Sequence, residues 1–176
     1  MADRGRIDAR PVVLVGLSGS GKTGVGRRLS ALRGLPFTDL DRAVEAEAGS
    51  TVDELFATVG EAGFRALESR SLRKAVEAGP SVIAAGGGCV TVADNRRLLS
   101  ERCFTVWLDQ STETAAARVA ADGAGGRPLL AGDPATRMAV LFAERRAFYE
   151  ACADIVVSTE GRTMDEVAGD IHGRLG

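Results

Sequence analysis

The chain has 176 residues, of which 45% are apolar and 26% are charged, and its net charge is −2. This balance is typical of a globular domain and excludes disordered and collagen-like chains. Three cysteines without a Cys-x-x-Cys pair exclude a disulfide-dense scaffold and are typical of reduced thiols in a cytosol. The near-neutral charge predicts no nucleic-acid partner, and no apolar run approaches the roughly 18 residues of a membrane helix. Residues 1–11 lack a signal-peptide pattern, so we expect one cytoplasmic domain over residues 1–176, with no membrane partner.

Apolar, β-branched runs alternate along the chain with segments of helical spacing. The predicted strands are residues 12–15, 35–38, 81–85, 103–108 and 155–157. The first predicted helix follows Lys22 and ends at Gly34, and the later helices cover residues 41–50, 52–78, 93–101, 111–121, 135–151 and 163–175. Strands that alternate with helices predict an α/β fold with a parallel sheet and helices on both faces.

Finer patterns lie within the predicted helices and loops. Apolar spacing predicts that Leu32 and Val59 face the core, and Gly60 should interrupt its helix. Thr51 and Glu54 match a capping box. Residues 122–134 contain four Gly, two Pro and two Asp, and so long a structureless loop predicts a lid.

Residues 16–23 match the pattern G-x-x-x-x-G-K-[ST] in full, between a predicted strand and a predicted helix. Glycines let successive backbone N–H groups point at a phosphate, and the helix N-terminus adds its positive end. Lys22 would reach the β- and γ-phosphates, and Thr23 would offer a hydroxyl to Mg²⁺. The expected nucleotide-binding residues of this loop are Gly19, Ser20, Gly21, Lys22, Thr23 and Gly24. The motif predicts nucleotide binding without identifying the reaction.

Two carboxylates follow the second predicted strand, at the sheet edge where open α/β folds bind ligands. Of Asp39 and Asp41, one could serve Mg²⁺ and the other a substrate hydroxyl, or Asp41 could cap the next helix. Asp109, after the fourth predicted strand, is an alternative metal ligand or a cap of the helix over residues 111–121.

A glycine triplet, Gly86-Gly87-Gly88, follows the third predicted strand. It predicts close approach of a ligand to the backbone, and the alternative is an ordinary strand-to-helix turn. Arginine suits carboxylate and phosphate because its planar fork donates two parallel bonds. Since only two of the 22 basic residues are lysines, composition does not choose among the many arginines.

Taken in order, these motifs resemble those of the shikimate kinases, small P-loop kinases of aromatic amino acid biosynthesis. The resemblance runs from Val12 to about Val167, through GLSGSGKT at 16–23, DLD at 39–41, LFATVGEAGFRALE at 55–68, GGGCV at 86–90, RPLL at 127–130 and RRAFY at 145–149. It implies a three-layer α/β/α fold with a five-stranded parallel sheet in the order 2-3-1-4-5. It also implies a substrate-binding region at about 41–75, a lid at about 122–134 and a monomer.

The activity implied by the resemblance is transfer of the γ-phosphate of ATP to the 3-hydroxyl of shikimate. The implied catalytic residues are Lys22, Asp41 and Arg127. ATP would contact the phosphate loop and Arg118, Arg127 and Arg162, of which Arg118 and Arg162 would flank the adenine. Shikimate would contact Asp41, Arg65, Gly86, Gly87, Gly88 and Arg145, with the two arginines on its carboxylate. Mg²⁺ would bind Thr23 and, through water, Asp39.

Two other functions are alternatives at this stage. One is a gluconate-type or nucleoside monophosphate kinase on a similar scaffold, which the Asp-x-Asp, triplet and Arg-Pro-Leu-Leu motifs disfavour. The other is a nucleotide-dependent regulatory module without catalysis, which the presence of every matched catalytic position disfavours. Cys89 follows the triplet and is a weak candidate for a reactive thiol.

Overall fold

A computed structural model describes residues 9–122, 128–130 and 133–176 of the protein. Within these ranges five strands form one parallel sheet, in the order β2-β3-β1-β4-β5. The strands are β1 (Val12–Val15), β2 (Phe37–Asp39), β3 (Val82–Ala84), β4 (Phe104–Asp109) and β5 (Ile155–Ser158). The predicted fold class and strand order are confirmed.

Helices connect each strand to the next and cover both faces of the sheet. They are α1 (Lys22–Arg33), α2 (Leu40–Ala48), α3 (Val52–Glu77), α4 (Ala93–Arg102), α5 (Thr112–Ala121), α6 (Pro134–Cys152) and α7 (Met164–Leu175). Single 3₁₀ turns occur at Cys89–Thr91 and Pro128–Leu130. None of the helices in the described ranges is both long enough and apolar enough to cross a bilayer.

Alternation along β1 divides the core between the two faces of the sheet. Val13 and Val15 pack in one cluster with apolar side chains of α3, α4 and α6. Val12 and Leu14 pack in the other cluster with α1 and α7. The inner strands β1, β3 and β4 are buried on both faces and are mostly apolar, whereas the edge strands β2 and β5 are partly exposed.

Two apolar side chains do not face the core as the helical spacing predicts. Leu32 is 53% exposed because α1 is turned toward Phe37, whose ring packs directly on Gly26. Val59 is 50% exposed because Gly60, with φ 69° and ψ 179°, breaks the helical spacing at the next residue. The predicted interruption at Gly60 is thereby confirmed, as is the capping box at Thr51.

The predicted lid at 122–134 falls largely outside the described residues. Residues 123–127, including Arg127, and residues 131–132 are among those that the structure does not describe. Within the described part, Leu130 is buried against Met138 and Leu141 of α6.

Candidate active site

A cavity of about 540 Å³ lies at the carboxyl edge of the sheet. This is where ligands bind in open α/β folds, because loops from several strands converge there. The predicted residues that line it are Gly19, Gly21, Lys22, Thr23, Gly24, Asp39, Asp41, Arg65, Gly86, Gly87, Gly88, Arg118 and Arg145. Residues up to 126 positions apart in the chain are thus brought into one site (Gly19 to Arg145).

The phosphate loop needs glycine where its backbone is left-handed or crowded. Gly19 has φ +82°, and a Cβ there would lie 2.5 Å from the Ala115 carbonyl oxygen of α5. Lys22 folds back over the loop, and its Nζ donates to the carbonyl oxygens of Gly16 at 2.8 Å and Leu17 at 2.6 Å. Ser20 is fully buried beneath it. The loop therefore presents a cation and a helix N-terminus to the cavity, the two features that bind phosphate.

Thr23 and Asp39 meet at the mouth of this loop. The Thr23 hydroxyl donates to Oδ2 of Asp39 at 2.6 Å, and Oδ1 of Asp39 accepts from the Arg42 N–H. Asp39, rather than Asp41, is therefore the N-cap of α2. A hydroxyl and a carboxylate are the hard oxygen donors that Mg²⁺ takes in nucleotide sites, where water and phosphate complete its shell. In the described part of the chain, three or more Asp, Glu, His or Cys side chains nowhere come together in a cluster that could hold a metal ion.

Asp41 lies in the first turn of α2 and faces the glycine triplet. Its Oδ1 would be 3.0 Å from a Cβ on Gly86. Burial raises the pKa of this carboxyl above its ordinary value, the charge of Asp39 adds to the rise, and Lys22 and Arg65 oppose it. The Asp41 carboxylate is therefore a partly desolvated hydrogen-bond acceptor in the cavity.

Arg65 and Arg145 both line the cavity beside the glycine triplet. The Arg65 side chain is 11% exposed and binds Oε2 of Glu68 at 2.7 Å, whereas Arg145 is 5% exposed. Among the described residues no carboxylate lies within ion-pairing distance of Arg145, and the Nε atoms of both arginines have no hydrogen-bond acceptor. Buried Nε–H groups without acceptors, one of them on an arginine with no carboxylate partner, indicate a site for an anionic ligand.

Glu68 is a residue of the site that the sequence analysis missed. It is fully buried, and burial raises the pKa of its carboxyl while the adjacent Arg65 opposes the rise. The available signal was a charged side chain at a core position of α3, three residues after Arg65, where one helix face brings the two together. Glu68 orients the Arg65 guanidinium toward the cavity.

The protein's own side chains require glycine at two triplet positions. A Cβ on Gly86 would collide with Oε1 of Glu68, and a Cβ on Gly88 would collide with the guanidinium of Arg65. The triplet thus lets the Arg65–Glu68 pair lie directly against the backbone. Cys89, the next residue, is fully buried, and burial raises the pKa of its thiol well above the ordinary value, so it is not a reactive thiol.

Replacing Gly88 by alanine should displace Arg65 without unfolding the protein. Because small misplacements of binding groups are costly to catalysis, we expect kcat/KM for the carboxylate substrate to fall on the order of 10²-fold. Steady-state kinetics and thermal melting measure the two effects separately. Gly173→Ala is the matched control, since nothing lies near a Cβ there in α7. An unchanged kcat/KM in Gly88→Ala would show that Arg65 does not need its observed position.

Arg118 and Arg162 were both predicted beside the nucleotide base, and the structure brings only Arg118 to the cavity. Its Nη1 donates to Gln110 Oε1 at 3.0 Å and to the Gly19 carbonyl at 3.4 Å. Arg162 does not line the cavity but pairs with Asp170 at 3.0 Å. Met164, for which the sequence analysis assigned no role, lines the cavity and packs on Gly24.

Asp109 lies outside this site. It lines a smaller cavity of about 360 Å³ beside Phe142 and Arg146. The N-cap of α5 is Ser111, so Asp109 does not cap this helix, and it does not line the cavity that contains Thr23 and Asp39.

Comparisons with known proteins point to one family. The family model described as shikimate kinase matches residues 18–175. A shikimate kinase of Symbiobacterium thermophilum is 45% identical over 165 residues, which cover 93% of this chain and 95% of the relative. The solved structure of a shikimate kinase from Acinetobacter baumannii in complex with shikimate has 33% identity and a TM-score of 0.90, over 94% of this chain and 92% of that one. A gluconokinase from Sinorhizobium meliloti, 17% identical with a TM-score of 0.60 over 97% and 93% of the two chains, is similar in fold alone.

Proposed function

The chain belongs to the shikimate kinase family, and on that premise we propose how its residues transfer the γ-phosphate of ATP to the 3-hydroxyl of shikimate. The products are shikimate 3-phosphate and ADP, in the pathway to chorismate and the aromatic amino acids. The observation that carries the proposal is one cavity that holds both a phosphate loop and two largely buried guanidinium groups whose Nε–H groups lack an acceptor. The loop suits the nucleotide, and the guanidinium groups suit an acidic acceptor.

ATP binds with its phosphates in the loop from Gly19 to Gly24. The backbone N–H groups and the N-terminus of α1 attract the phosphate oxygens, and Lys22 moves from the loop carbonyls to the β- and γ-phosphates. Arg118 and Met164 lie on the nucleotide side of the cavity and pack against the base. Arg162 stays a predicted base contact that would need to leave Asp170.

Thr23 and Asp39 fit a magnesium ion, and we assign it to them. When bound, Mg²⁺ neutralises charge on the phosphate oxygens. The contribution of the chain is to hold two oxygen atoms in place, since Asp39 is fixed as a helix cap and Thr23 donates to it. Two ligands suffice because phosphate and water complete the coordination in such sites.

Asp39→Asn should weaken this metal site while keeping the helix cap, since Asn caps as well as Asp. We expect the Mg²⁺ concentration for half-maximal activity to rise roughly tenfold or more. Titration of activity with Mg²⁺, and calorimetry of ATP with Mg²⁺ and with EDTA, measure the effect. Asp133→Asn, at the N-cap of α6, is the matched control. Equal Mg²⁺ dependence of the two variants would remove Asp39 from the metal site.

The acceptor binds through its carboxylate to Arg65 and Arg145. Both side chains are largely buried, so a bound carboxylate could satisfy their Nε–H groups, which otherwise lack a partner. Glu68 neutralises part of the charge and holds Arg65 in place. A neutral sugar would leave these groups unsatisfied, which disfavours a substrate without an acid group.

Asp41 binds the hydroxyl group of the acceptor. The alcohol donates its hydrogen bond to the Asp41 carboxylate, which aligns the oxygen with the γ-phosphorus. As the new O–P bond forms and the bond to the ADP oxygen breaks, the alcohol proton moves to Asp41. Asp41 lines the same cavity as Lys22 of the phosphate loop and Arg65 of the carboxylate clamp, so one acceptor could contact all three.

The roles of Arg127 and of a lid at about 122–134 are proposed from the sequence, because Arg127 lies outside the described residues. Arg127 would neutralise charge on the transferring phosphate, and lid closure together with the helices of the substrate-binding region, about 41–75, would exclude water. The whole chain, residues 1–176, would act as one domain.

We also propose a cytoplasmic monomer. The described large apolar side chains that are exposed lie on five different elements, namely Leu32, Val59, Val140, Val156 and Met164. The three cysteines are free and buried, as expected in a reducing compartment. Sedimentation equilibrium at assay concentrations tests the oligomeric state.

The proposed function is tested by steady-state assay of the purified protein with ATP and Mg²⁺. We expect phosphorylation of shikimate and no measurable turnover of gluconate. Turnover of gluconate alone would refute the substrate. ATP binding without phosphoryl transfer to either acid would instead support the non-catalytic regulatory module.

A further inference from the structure

Tyr149 is a fully buried residue whose hydroxyl reaches the active site. It lies on α6, one turn after Arg145, and its ring stacks on Trp107 with a centroid distance of 5.7 Å. The hydroxyl donates to the Gly87 carbonyl at 2.5 Å. A helix on one face of the sheet is thereby joined to the middle of the glycine triplet by one side-chain hydrogen bond.

Each carbonyl of the triplet has its own donor. The Gly86 carbonyl accepts from the Cys89 N–H at 3.1 Å, and the Gly88 carbonyl accepts from the Thr91 N–H and hydroxyl at 3.0 and 2.7 Å. These donors are local in sequence, whereas Tyr149 is 62 positions from Gly87. Because glycine peptides rotate more freely than any others, the donor to the central carbonyl decides which way that peptide faces.

The direction of the Gly87 carbonyl fixes the direction of the next N–H. In a trans peptide the carbonyl of one residue and the N–H of the following residue point in opposite directions, and no peptide in the described chain is cis. Since Tyr149 draws the Gly87 carbonyl into the core, the Gly88 N–H points toward the cavity. Within the described residues neither the Gly87 nor the Gly88 N–H donates to a backbone acceptor.

We propose that Tyr149 is a positioning residue for the acceptor, since its hydroxyl holds the Gly87–Gly88 peptide with the N–H toward the bound shikimate. This rests on the proposed function and adds to it a residue that does not touch the substrate. Arg145 lies close to the same peptide, with Nη1 at 3.5 Å from a Cβ built on Gly87. One helix turn thus sets the spacing between Arg145 of the carboxylate clamp and the Gly87–Gly88 peptide. Burial raises the pKa of Tyr149 far above its ordinary value, so it remains a donor throughout the working pH range.

The test is Tyr149→Phe, which removes one oxygen and keeps the ring. We expect the Kd for shikimate, measured by calorimetry without nucleotide, and the KM for shikimate to rise roughly tenfold, because a buried carbonyl loses its donor and the peptide is released. The KM for ATP should change less than about twofold. Phe142→Leu is the control, because Phe142 packs on Trp107 from the same helix and should lower the melting temperature without changing shikimate affinity.

A shikimate Kd for Tyr149→Phe that equals that of Phe142→Leu, in a protein whose wild type phosphorylates shikimate, would overturn this inference alone. A wild type that neither binds nor phosphorylates shikimate would overturn the proposed function as well. Should Tyr149→Phe fail to fold, the Gly88 amide resonance of the wild type decides the question. It should shift on addition of shikimate, and an unmoved resonance at saturation would overturn the proposal.

Discussion

Lys22→Met should lower kcat by at least about 10²-fold to 10³-fold, as expected for removal of a preorganised group that stabilises transition-state charge. The Lys22 ammonium lies over the phosphate loop, 2.8 and 2.6 Å from two of its carbonyl oxygens, and exchanges these for phosphate oxygens when ATP binds. Methionine has similar length but no charge, so the fold should persist. Single-turnover kinetics at saturating ATP measure the chemical step directly.

Two further variants test whether the loss of kcat is specific to the ammonium group of Lys22. Lys74→Met removes the other lysine, which is exposed at the end of α3, and should leave kcat unchanged. Lys22→Arg should be nearly as inactive as Lys22→Met, because the loop carbonyls enclose a compact ammonium and a planar guanidinium does not match that shape. Substantial turnover by Lys22→Met would contradict the assignment of the phosphate loop.

Asp41→Asn should lower kcat by about 10²-fold to 10⁴-fold, the range expected when a positioned general base is lost. Asparagine keeps the size of the side chain beside Gly86, but its amide cannot take up the alcohol proton. The KM for shikimate should change much less than kcat, because Arg65 and Arg145 still bind the carboxylate. Steady-state kinetics with each substrate varied in turn separate the two parameters.

Glu47→Gln, on the exposed side of the same helix, is the matched control for Asp41. It changes the charge of α2 by the same amount and should leave kcat unchanged. A loss confined to the KM for shikimate in Asp41→Asn would reassign Asp41 from proton acceptor to a binding contact.

Much of the fold could be predicted from short stretches of the sequence. The inner strands β1, β3 and β4 are buried on both faces, so their apolar runs are easily located in the sequence, and several of the helices carry a recognisable cap or end at a glycine. The phosphate loop was predictable for the same reason, since the chemistry of Gly19 to Thr23 lies within one contiguous turn. The strand order came from the family resemblance, because pairing between distant strands leaves no local pattern.

Contacts between distant elements explain what the sequence did not reveal. Glu68 and Tyr149 owe their places at the site to packing of α3 and α6 against the glycine triplet, which no local spacing encodes. Leu32 faces solvent because the ring of Phe37, from the next strand, packs on Gly26, and α1 is turned toward that contact. Arg162 was assigned to the base by resemblance, and the pairing with Asp170 on α7 depends on how the closing helix folds back.

The carboxylate clamp is tested most directly by comparing the binding of shikimate and of its uncharged carboxamide by calorimetry. Wild type should bind shikimate more tightly than the carboxamide by about 30-fold or more. The control variant Arg146→Ala, which removes an exposed guanidinium that pairs with Glu150, should show the same preference. Arg145→Ala should lose most of that preference by binding shikimate more weakly while its affinity for the carboxamide changes little. If Arg145→Ala keeps the full preference for the acid, the carboxylate does not lie where this account places it.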